Sequence, residues 1–408
     1  MKCRHCDASL THSFLDLGSA PPSNAYLRHE QLSGPESWLP LRMLVCDQCW
    51  LVQTEDFAGR ELLFDADYAY FSSCSSSWLA HAKQFVSDAV RKLNLTAQHC
   101  VVEIAANDGY LLQFVQQAGI RCLGVEPTAS TAASAREKGI PVREVFFGRE
   151  TARQLAEEGW AADLMVANNV LAHVPDINDF AAGFATLLKP TGAVSFEFPH
   201  LLNMVQLNQF DTAYHEHFSY LSLHAVQRIL QQQGLQIFNV EHLATHGGSL
   251  RVWAQHVQSG VHAVSEAVDA TLTTEKEAGM LTSDFYSAAQ RRAENAKNGL
   301  LKALIALREQ GLRVAAYGAA AKGNTLLNFA GVRPDLITCV ADLSPGKQGK
   351  YLPGSRIPIV TPAQMLAAKP DVVLILPWNL ETEITRDLAL IREWGGRFAI
   401  AIPEWKIW

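Results

Sequence analysis

Two stretches of this 408-residue chain repeat one local pattern, a short apolar strand, a turn of small residues and a helix. The first opens with CVVEI at Cys100–Ile104, turns from Ala105 to Gly109 and runs as a helix from Tyr110 to Ala118. It continues with strands in RCLGVE (121–126), DLMVANN (163–169) and GAVSFEFP (192–199). The second restarts after residue 310 with LRVAAYG, AAAKGN and TLLNFA, then ITCVAD, DVVLIL and RFAIAIP. Strands alternating with helices pair side by side through crossovers, so each stretch predicts an open α/β sheet. Such sheets bind ligands in the crevice beyond the carboxyl ends of their strands. The turns after Ile104 and after Tyr317 are therefore the first places to look for chemistry.

The segments around these sheets are of other kinds. Residues 1 to about 70 are loop-rich, with Pro21-Pro22 and Gly34-Pro35. Residues 75–95 have helical spacing, with Trp78, Leu79, Phe85, Val86 and Val90 on one stripe. Residues 222–258 read as a helix followed by strands, among them LRVWAQ (250–255), which reads as an edge strand. Residues 262–310 are rich in Glu, Lys, Arg and Ala and read as helical. This organisation gives a small domain over 1–70, a central α/β domain with a helical connector over 71–300, and a C-terminal Rossmann-like α/β domain over 301–408. A composition of 48% hydrophobic and 18% charged residues suits a chain that buries large cores. The net charge of -7 counts against a nucleic-acid partner, which needs a concentrated basic face. No apolar run is long enough for a membrane span, and MKCRHCDASL lacks the apolar core of a secretory signal. The expectation is a cytoplasmic monomer with reduced cysteines and no membrane association.

Four of the eight cysteines fall into two knuckles, Cys3-x-x-Cys6 and Cys46-x-x-Cys49. A two-residue spacer lets both thiolates of a knuckle face one ion, and two knuckles complete a tetrahedral sulfur shell. Four protein ligands leave no open position, so the zinc expected here is structural. His5, His12 and His29 are alternative ligands, and a redox role for a CxxC pair is the rival reading. Cys74, Cys100, Cys122 and Cys339 are scattered and read as packing residues.

The turn after the first central strand lacks the G-x-G-x-x-G of a dinucleotide site. Instead Glu103 ends the strand, and Ala105, Ala106 and Asn107-Asp108-Gly109 lead into the helix. A carboxylate at this place repels a pyrophosphate and suits a cofactor with a ribose and a cationic amino-acid end, such as S-adenosylmethionine. Glu126 ends the next strand, where it can accept from both ribose hydroxyls. Asn168, Asn169 and His173 follow the third strand of the same crevice. The segment DTAYHEHFSY (211–220) adds two histidines, a glutamate and two tyrosines, which supply neutral bases, an acid and hydroxyl donors at one spot.

Taken in order, these motifs resemble the zinc-containing sugar C-methyltransferases that act on nucleotide-linked ketosugars. The resemblance rests on the knuckles from Cys3 to Cys49, DYAYFSS (67–73), EIAANDGYLL (103–112), NNVLAHVPD (168–176) and FEFPHL (196–201). It continues through FDTAYHEHFSYLSL (210–223), GGSLRV (247–252), YGAAAKGNTLLN (317–328) and SPGKQGKYLPG (344–354). The resemblance implies a class I methyltransferase domain between a structural-zinc domain and a C-terminal domain that helps hold the nucleotide-sugar. It implies transfer of a methyl group from S-adenosylmethionine to a sugar carbon, C-3', beside a C-4' ketone, through an enolate. By the same resemblance His217 is the base, Tyr214 and His173 stabilise the enolate, and Glu216 orients the sugar or an imidazole. The cofactor is then held by Tyr68, Glu103, Ala105, Asn107, Gly109, Glu126, Asn168 and Asn169. The sugar nucleotide meets Tyr70, Ser72, His200, Lys322 and Asn324. Ala105 stands where the family usually has glycine, and the C-terminal turn reads GAAAKGN where arginine or glycine is common in the middle.

Three other functions compete on the sequence. An O- or N-methyltransferase needs only one deprotonated heteroatom and no enolate pocket. A zinc-bearing nucleic-acid-binding protein would keep the fold without the chemistry. A C-terminal oxidoreductase would bind a nicotinamide. The base of the nucleotide (dTDP, GDP or CDP) is left open.

Overall fold

Three sheets organise the computed structural model, which describes residues 1–57 and 71–408. Strands β1 (His12–Ala20), β2 (Leu39–Val45) and β3 (Val52–Thr54) belong to the N-terminal region. The central region supplies β4 (Cys100–Ile104), β5 (Arg121–Val125), β6 (Val142–Arg143), β7 (Ala162–Asn168) and β8 (Leu188–Pro199). It also supplies β9 (Ser219–Tyr220), β10 (Leu235–Leu243) and β11 (Ser249–His256). The C-terminal region holds β12 (Val314–Tyr317), β13 (Val340–Ala341), β14 (Ile359–Val360), β15 (Val372–Ile375), β16 (Arg397–Ile400) and β17 (Lys406–Ile407).

The central sheet has the order β10-β11-β8-β7-β4-β5-β6. Strands β8, β7, β4, β5 and β6 run parallel, and β11 lies antiparallel between β8 and β10. The chain reverses its direction of winding at β4, which has β5 on one side and β7 on the other. The C-terminal sheet, β14-β13-β12-β15-β16-β17, repeats this device, with β12 between β13 and β15. Both glycine-and-alanine turns read from the sequence therefore follow the strand at a switch point, where crevices open.

Burial on both faces explains the apolar runs of β4 and β7. One face of the central sheet packs on the helix Ile177–Leu187, where Phe184 meets Phe196 edge-on with ring centroids 4.7 Å apart. The other face packs on the helix Ser76–Lys92, where Phe85 stacks on Trp253 at 5.8 Å. That helix starts where the Ser75 hydroxyl accepts from the Trp78 N–H, a side-chain cap that satisfies an orphan donor.

LRVWAQ proves to be an interior strand, paired on both sides, rather than an edge. Its arginine gives the impression of a solvated face, yet Arg251 is buried and meets Glu197 at 2.9 Å and Glu241 at 3.1 Å. The helical stretch 262–310 divides into Glu266–Glu277, Ser283–Ser287 and Ala289–Glu309, so residue 300 lies within the last of these helices. The helix expected over 110–118 is shorter, Leu112–Gln117.

The N-terminal sheet is completed by β9, which pairs antiparallel with β3 although it lies far along the chain. Phe14, Leu17 and Met43 of this sheet share one core with Ala293 and Leu300 of the long helix and with Leu326 and Val340 of the C-terminal region. The two knuckles are buried against a different core, that of the central sheet, through Cys3, Cys46, Cys49 and Leu51.

Gly109 has a φ of +74°, and a Cβ there would run into the Ile140 side chain. Gly109→Ala should destabilise the protein by about 1–3 kcal/mol, from strain and overpacking together. An unchanged midpoint in urea unfolding would contradict the geometry of this turn.

Candidate active site and metal centre

The knuckles converge. One ligand atom from each of Cys3, Cys6, Cys46 and Cys49 lies within 4.8 Å of the others, with Cys3 Sγ–Cys49 Sγ at 3.4 Å and Cys6 Sγ–Cys46 Sγ at 3.5 Å. Four sulfurs at ~2.3 Å from a tetrahedral zinc stand roughly 3.8 Å apart, so the cluster fits that ion with small adjustment. No histidine joins the group among the described residues. The Gln53 amide N–H donates toward Cys3 Sγ at 3.3 Å, an outer-shell contact of the kind that orients a ligand.

At the end of β4 the backbone turns through left-handed conformations at Ala105 (φ +56°) and Asn107 (φ +50°). Asn107 N–H donates to Glu126 Oε2 and Thr128 N–H to Glu126 Oε1, both at 2.9 Å. This pins a buried carboxylate at the end of β5. Glu103 is fully buried, its carboxylate set beside the Tyr110 hydroxyl. Burial pushes its carboxyl well above the usual range, with the Tyr110 hydroxyl as polar neighbour. Asn168 Nδ2 donates to the Tyr110 hydroxyl at 3.3 Å, while Asn168 Oδ1 and Asn169 Oδ1 are buried without partners among the described residues. Unsatisfied acceptors gathered at the end of β7 are what an amino-acid group and a nucleoside would satisfy. Ser72 N–H donates to Asn107 Oδ1 at 2.9 Å, which places Ser72 against the same turn. Tyr68 and Tyr70 lie outside the described residues.

The segment 210–220 wraps around this crevice. His217 Nδ1 faces the Thr212 carbonyl at 2.9 Å, and its Nε2 faces the Tyr214 hydroxyl at 2.7 Å. A carbonyl can only accept, so Nδ1 carries the proton and Nε2 offers its lone pair to the tyrosine. The His173 ring lies edge-on to His217, centroids 4.6 Å apart. Burial first, and the neighbouring His173 second, hold the His217 imidazole well below its ordinary range. Burial likewise brings His173 down to about 4. Both rings are therefore neutral at pH 7. Glu216 is buried beside them in sequence, and burial pushes it up to about 7; Asn24 of the N-terminal region donates to its Oε1 at 3.2 Å.

The C-terminal turn reaches the same place. Lys322 Nζ donates to Asn379 Oδ1 at 2.8 Å and lies over the Trp378 ring, while Trp378 Nε1–H donates to Asp211 Oδ2 at 2.8 Å. Asp211 is pushed up to about 6 by burial, against the pull of Lys322. Asn324 is buried, and neither polar atom of its side chain has a partner among the described residues. Asp342 repeats the arrangement of Glu126, accepting from Ala319 N–H and Ser344 N–H at 2.8 Å each.

His200 is placed differently from the other predicted residues. Its Nε2 meets Glu275 Oε1 at 2.7 Å, and His224 meets the second oxygen of that carboxylate at 2.8 Å. Burial alone would raise Glu275, yet these imidazoles bring it to about 2. Three groups missed from the sequence also sit here. His81 bonds Glu197 at 2.8 Å, His246 (φ +55°) meets the Trp78 ring edge-on at 5.2 Å, and Trp78 stacks on Tyr110 at 5.8 Å. Trp78 was visible only as part of an apolar helical stripe, and a lone histidine before two glycines carries no signal.

A switch-point crevice with a pinned carboxylate, beside a closed four-cysteine cluster, defines a zinc-bearing, S-adenosylmethionine-dependent methyltransferase. Family models agree along the chain: "Putative zinc binding domain" matches residues 3–64, "Methyltransferase domain" matches 78–240 and "C-methyltransferase C-terminal domain" matches 244–403. The chain belongs to the C-methyltransferase family, being 34% identical over 406 residues to the C-methyltransferase NovU of Streptomyces niveus, across 100% of this chain and 96% of that protein. It is also 25% identical over 148 residues to a ubiquinone biosynthesis O-methyltransferase of Rhodopseudomonas palustris, across 31% of this chain and 58% of the other. Among solved structures it is similar to the magnesium protoporphyrin IX methyltransferase of Synechocystis with bound S-adenosylmethionine. That likeness has a TM-score of 0.33 and 18% identity, and covers 43% of this chain and 78% of the other. Among the described residues, no helix is long and apolar enough to cross a membrane.

Two outcomes follow. Cys46→Ser with Cys49→Ser should abolish zinc binding in metal analysis and destabilise the N-terminal region, since a closed zinc site contributes folding energy directly. Glu126→Ala should weaken S-adenosylmethionine binding by ~1.5–3 kcal/mol, the loss of hydrogen bonds to a charged acceptor. Calorimetry giving an unchanged Kd would remove Glu126 from the cofactor site.

Proposed function

We propose that this chain methylates a carbon beside the ketone of a nucleotide-linked 4-ketosugar, taking the carbon-bound proton with His217. The observation that carries this reading is the buried neutral imidazole of His217, whose Nε2 lone pair meets the Tyr214 hydroxyl while its Nδ1–H is tied to Thr212. An unactivated sugar carbon offers no nucleophile. A carbon beside a ketone does once it loses a proton, because the charge spreads onto oxygen. An O- or N-methyltransferase needs only one deprotonated heteroatom and no enolate pocket.

Nε2 accepts the proton of the sugar carbon as the Tyr214 hydroxyl gives up its place there. The freed hydroxyl then donates to the enolate oxygen, and His173, beside the His217 ring, lies within the same group. Glu216, with one oxygen engaged by Asn24, orients the sugar or an imidazole. Lys322, above Trp378, meets the diphosphate as a point charge, with Asn324 and Ser72 nearer the sugar nucleotide. S-Adenosylmethionine, when bound at the ends of β4 and β5, supplies an electrophilic methyl on a sulfonium. Glu103 and Glu126 hold its polar ends there, along with the Ala105–Gly109 turn, Asn168 and Asn169. The absence of a free position at the zinc cluster keeps that ion out of the chemistry.

His217→Asn keeps polarity and shape but cannot accept a proton near pH 7. Its rate of methylation should fall ~10²–10⁴-fold, the usual contribution of a general base. Tyr214→Phe removes a donor and leaves the base, so a loss of ~10²–10³-fold is expected, carried in kcat. Steady-state kinetics in which His217→Asn stays within threefold of the wild type would place the base elsewhere, with His215 and Glu216 next to be replaced.

A further inference from the structure

We infer that the zinc knuckle sets the position of the base, with Arg4 and Thr54 as positioning residues that fix His217 relative to His173. The inference rests on His217 being the base. Arg4 lies inside the first knuckle, between Cys3 and Cys6, and its guanidinium is nearly fully buried, with 4% exposure of the side chain. Nη2–H donates to the Thr54 carbonyl at 2.6 Å, Nε–H to the Phe218 carbonyl at 3.2 Å and Nη1–H to the Pro175 carbonyl at 3.3 Å. Nη1–H also donates to Asp56 Oδ2 at 2.8 Å. One buried cation thus joins the knuckle to β3, to the residue after His217 and to the loop that carries His173.

Thr54 continues the connection. Its hydroxyl donates to the His217 carbonyl at 2.6 Å, and its N–H donates to the Phe218 carbonyl at 3.1 Å. Phe218 N–H in turn donates to the Ala172 carbonyl at 2.8 Å, beside His173. The knuckle is also held to the helix that follows this loop, since Asn178 Nδ2–H donates to the carbonyls of Arg4 at 3.2 Å and His5 at 2.8 Å. A buried guanidinium that lost these carbonyls would keep Asp56 but leave N–H groups desolvated and unbonded, which is costly. A general base works only within hydrogen-bond reach of its proton, and an ångström of displacement at His217 is costly. The knuckle is therefore linked to the reacting centre through six side-chain hydrogen bonds to main-chain carbonyls, although it holds no open metal position.

Thr54→Val removes the hydroxyl at constant shape, Thr54→Ser restores it, and Arg4→Met keeps the stem without the charge. All are made in the full chain with zinc bound. The readouts are zinc content, S-adenosylmethionine Kd, kcat and KM, and the exchange rate of the His217 Nδ1–H by NMR, assigned through its loss in His217→Asn. Thr54→Val and Arg4→Met should retain zinc and bind cofactor within threefold of the wild type. The imidazole N–H should exchange at least tenfold faster, and kcat should fall at least tenfold with KM within threefold; Thr54→Ser should return both toward the wild type. Should Arg4→Met lose zinc or fail to fold, the Thr54 pair, which leaves the knuckle intact, decides by the same measurements. Unchanged N–H protection in zinc-replete Thr54→Val overturns the inference, as does a loss confined to KM. If N–H exchange speeds up but His217→Asn keeps wild-type turnover, the positioning is real and His217 is not the base.

Discussion

The pairing of Val52 and Gln53 with Tyr220 and Ser219 is the contact on which the site depends. It is two residues deep on each side, yet it draws a segment of the central region out to complete the N-terminal sheet. His217 is the second residue before that strand. Its loop is thereby stretched between the ends of the central parallel strands and the zinc-bearing sheet, with the C-terminal turn closing the third side. Thr325 makes that closure specific, its hydroxyl donating to the Ala213 carbonyl at 2.8 Å. An imidazole held by three regions cannot drift without breaking contacts in each.

Burial does the electrostatic work in this crevice. It keeps His217 and His173 neutral, and it raises Asp211 to about 6 and Glu216 to about 7. The same burial makes an imidazolium costly, so proton removal needs a negative charge forming nearby. On the proposed reading an enolate oxygen supplies one, so that opposite charges appear together and vanish together in the pocket. The Tyr214 hydroxyl donates to Nε2, and on the proposed reading it is available to the new oxygen once the substrate has taken that place.

Much of this was legible in the sequence wherever local pattern decides structure. The runs CVVEI and DVVLIL are strands because both faces are covered, and the turns after β4 and β12 are recognisable from their small residues. The knuckles declare themselves by spacing alone. What could not be read depends on partners distant in the chain. Strand β9 is two residues long and exists only through β3. Arg251 resembles a surface residue until Glu197 and Glu241 are brought beside it, which is why an interior strand reads as an edge. His200 shares the motif of the crevice in sequence, while Glu275, from a helix over seventy residues onward, takes it for a buried hydrogen bond. The contact of Lys322 and Trp378 with Asp211 unites two regions that no local rule connects.

The central claim is that a carbon acid is deprotonated before any methyl group moves. It is tested most directly by incubating the enzyme with a 4-ketosugar nucleotide in deuterium oxide without S-adenosylmethionine. The dTDP-, GDP- and CDP-linked forms should be tried in turn, following the proton beside the ketone by NMR. The account predicts enzyme-dependent loss of that signal, at a rate at least equal to methylation turnover, with at least one of the three. Methylation of a substrate that never exchanges this proton, with the methyl group found on oxygen or nitrogen, would contradict it.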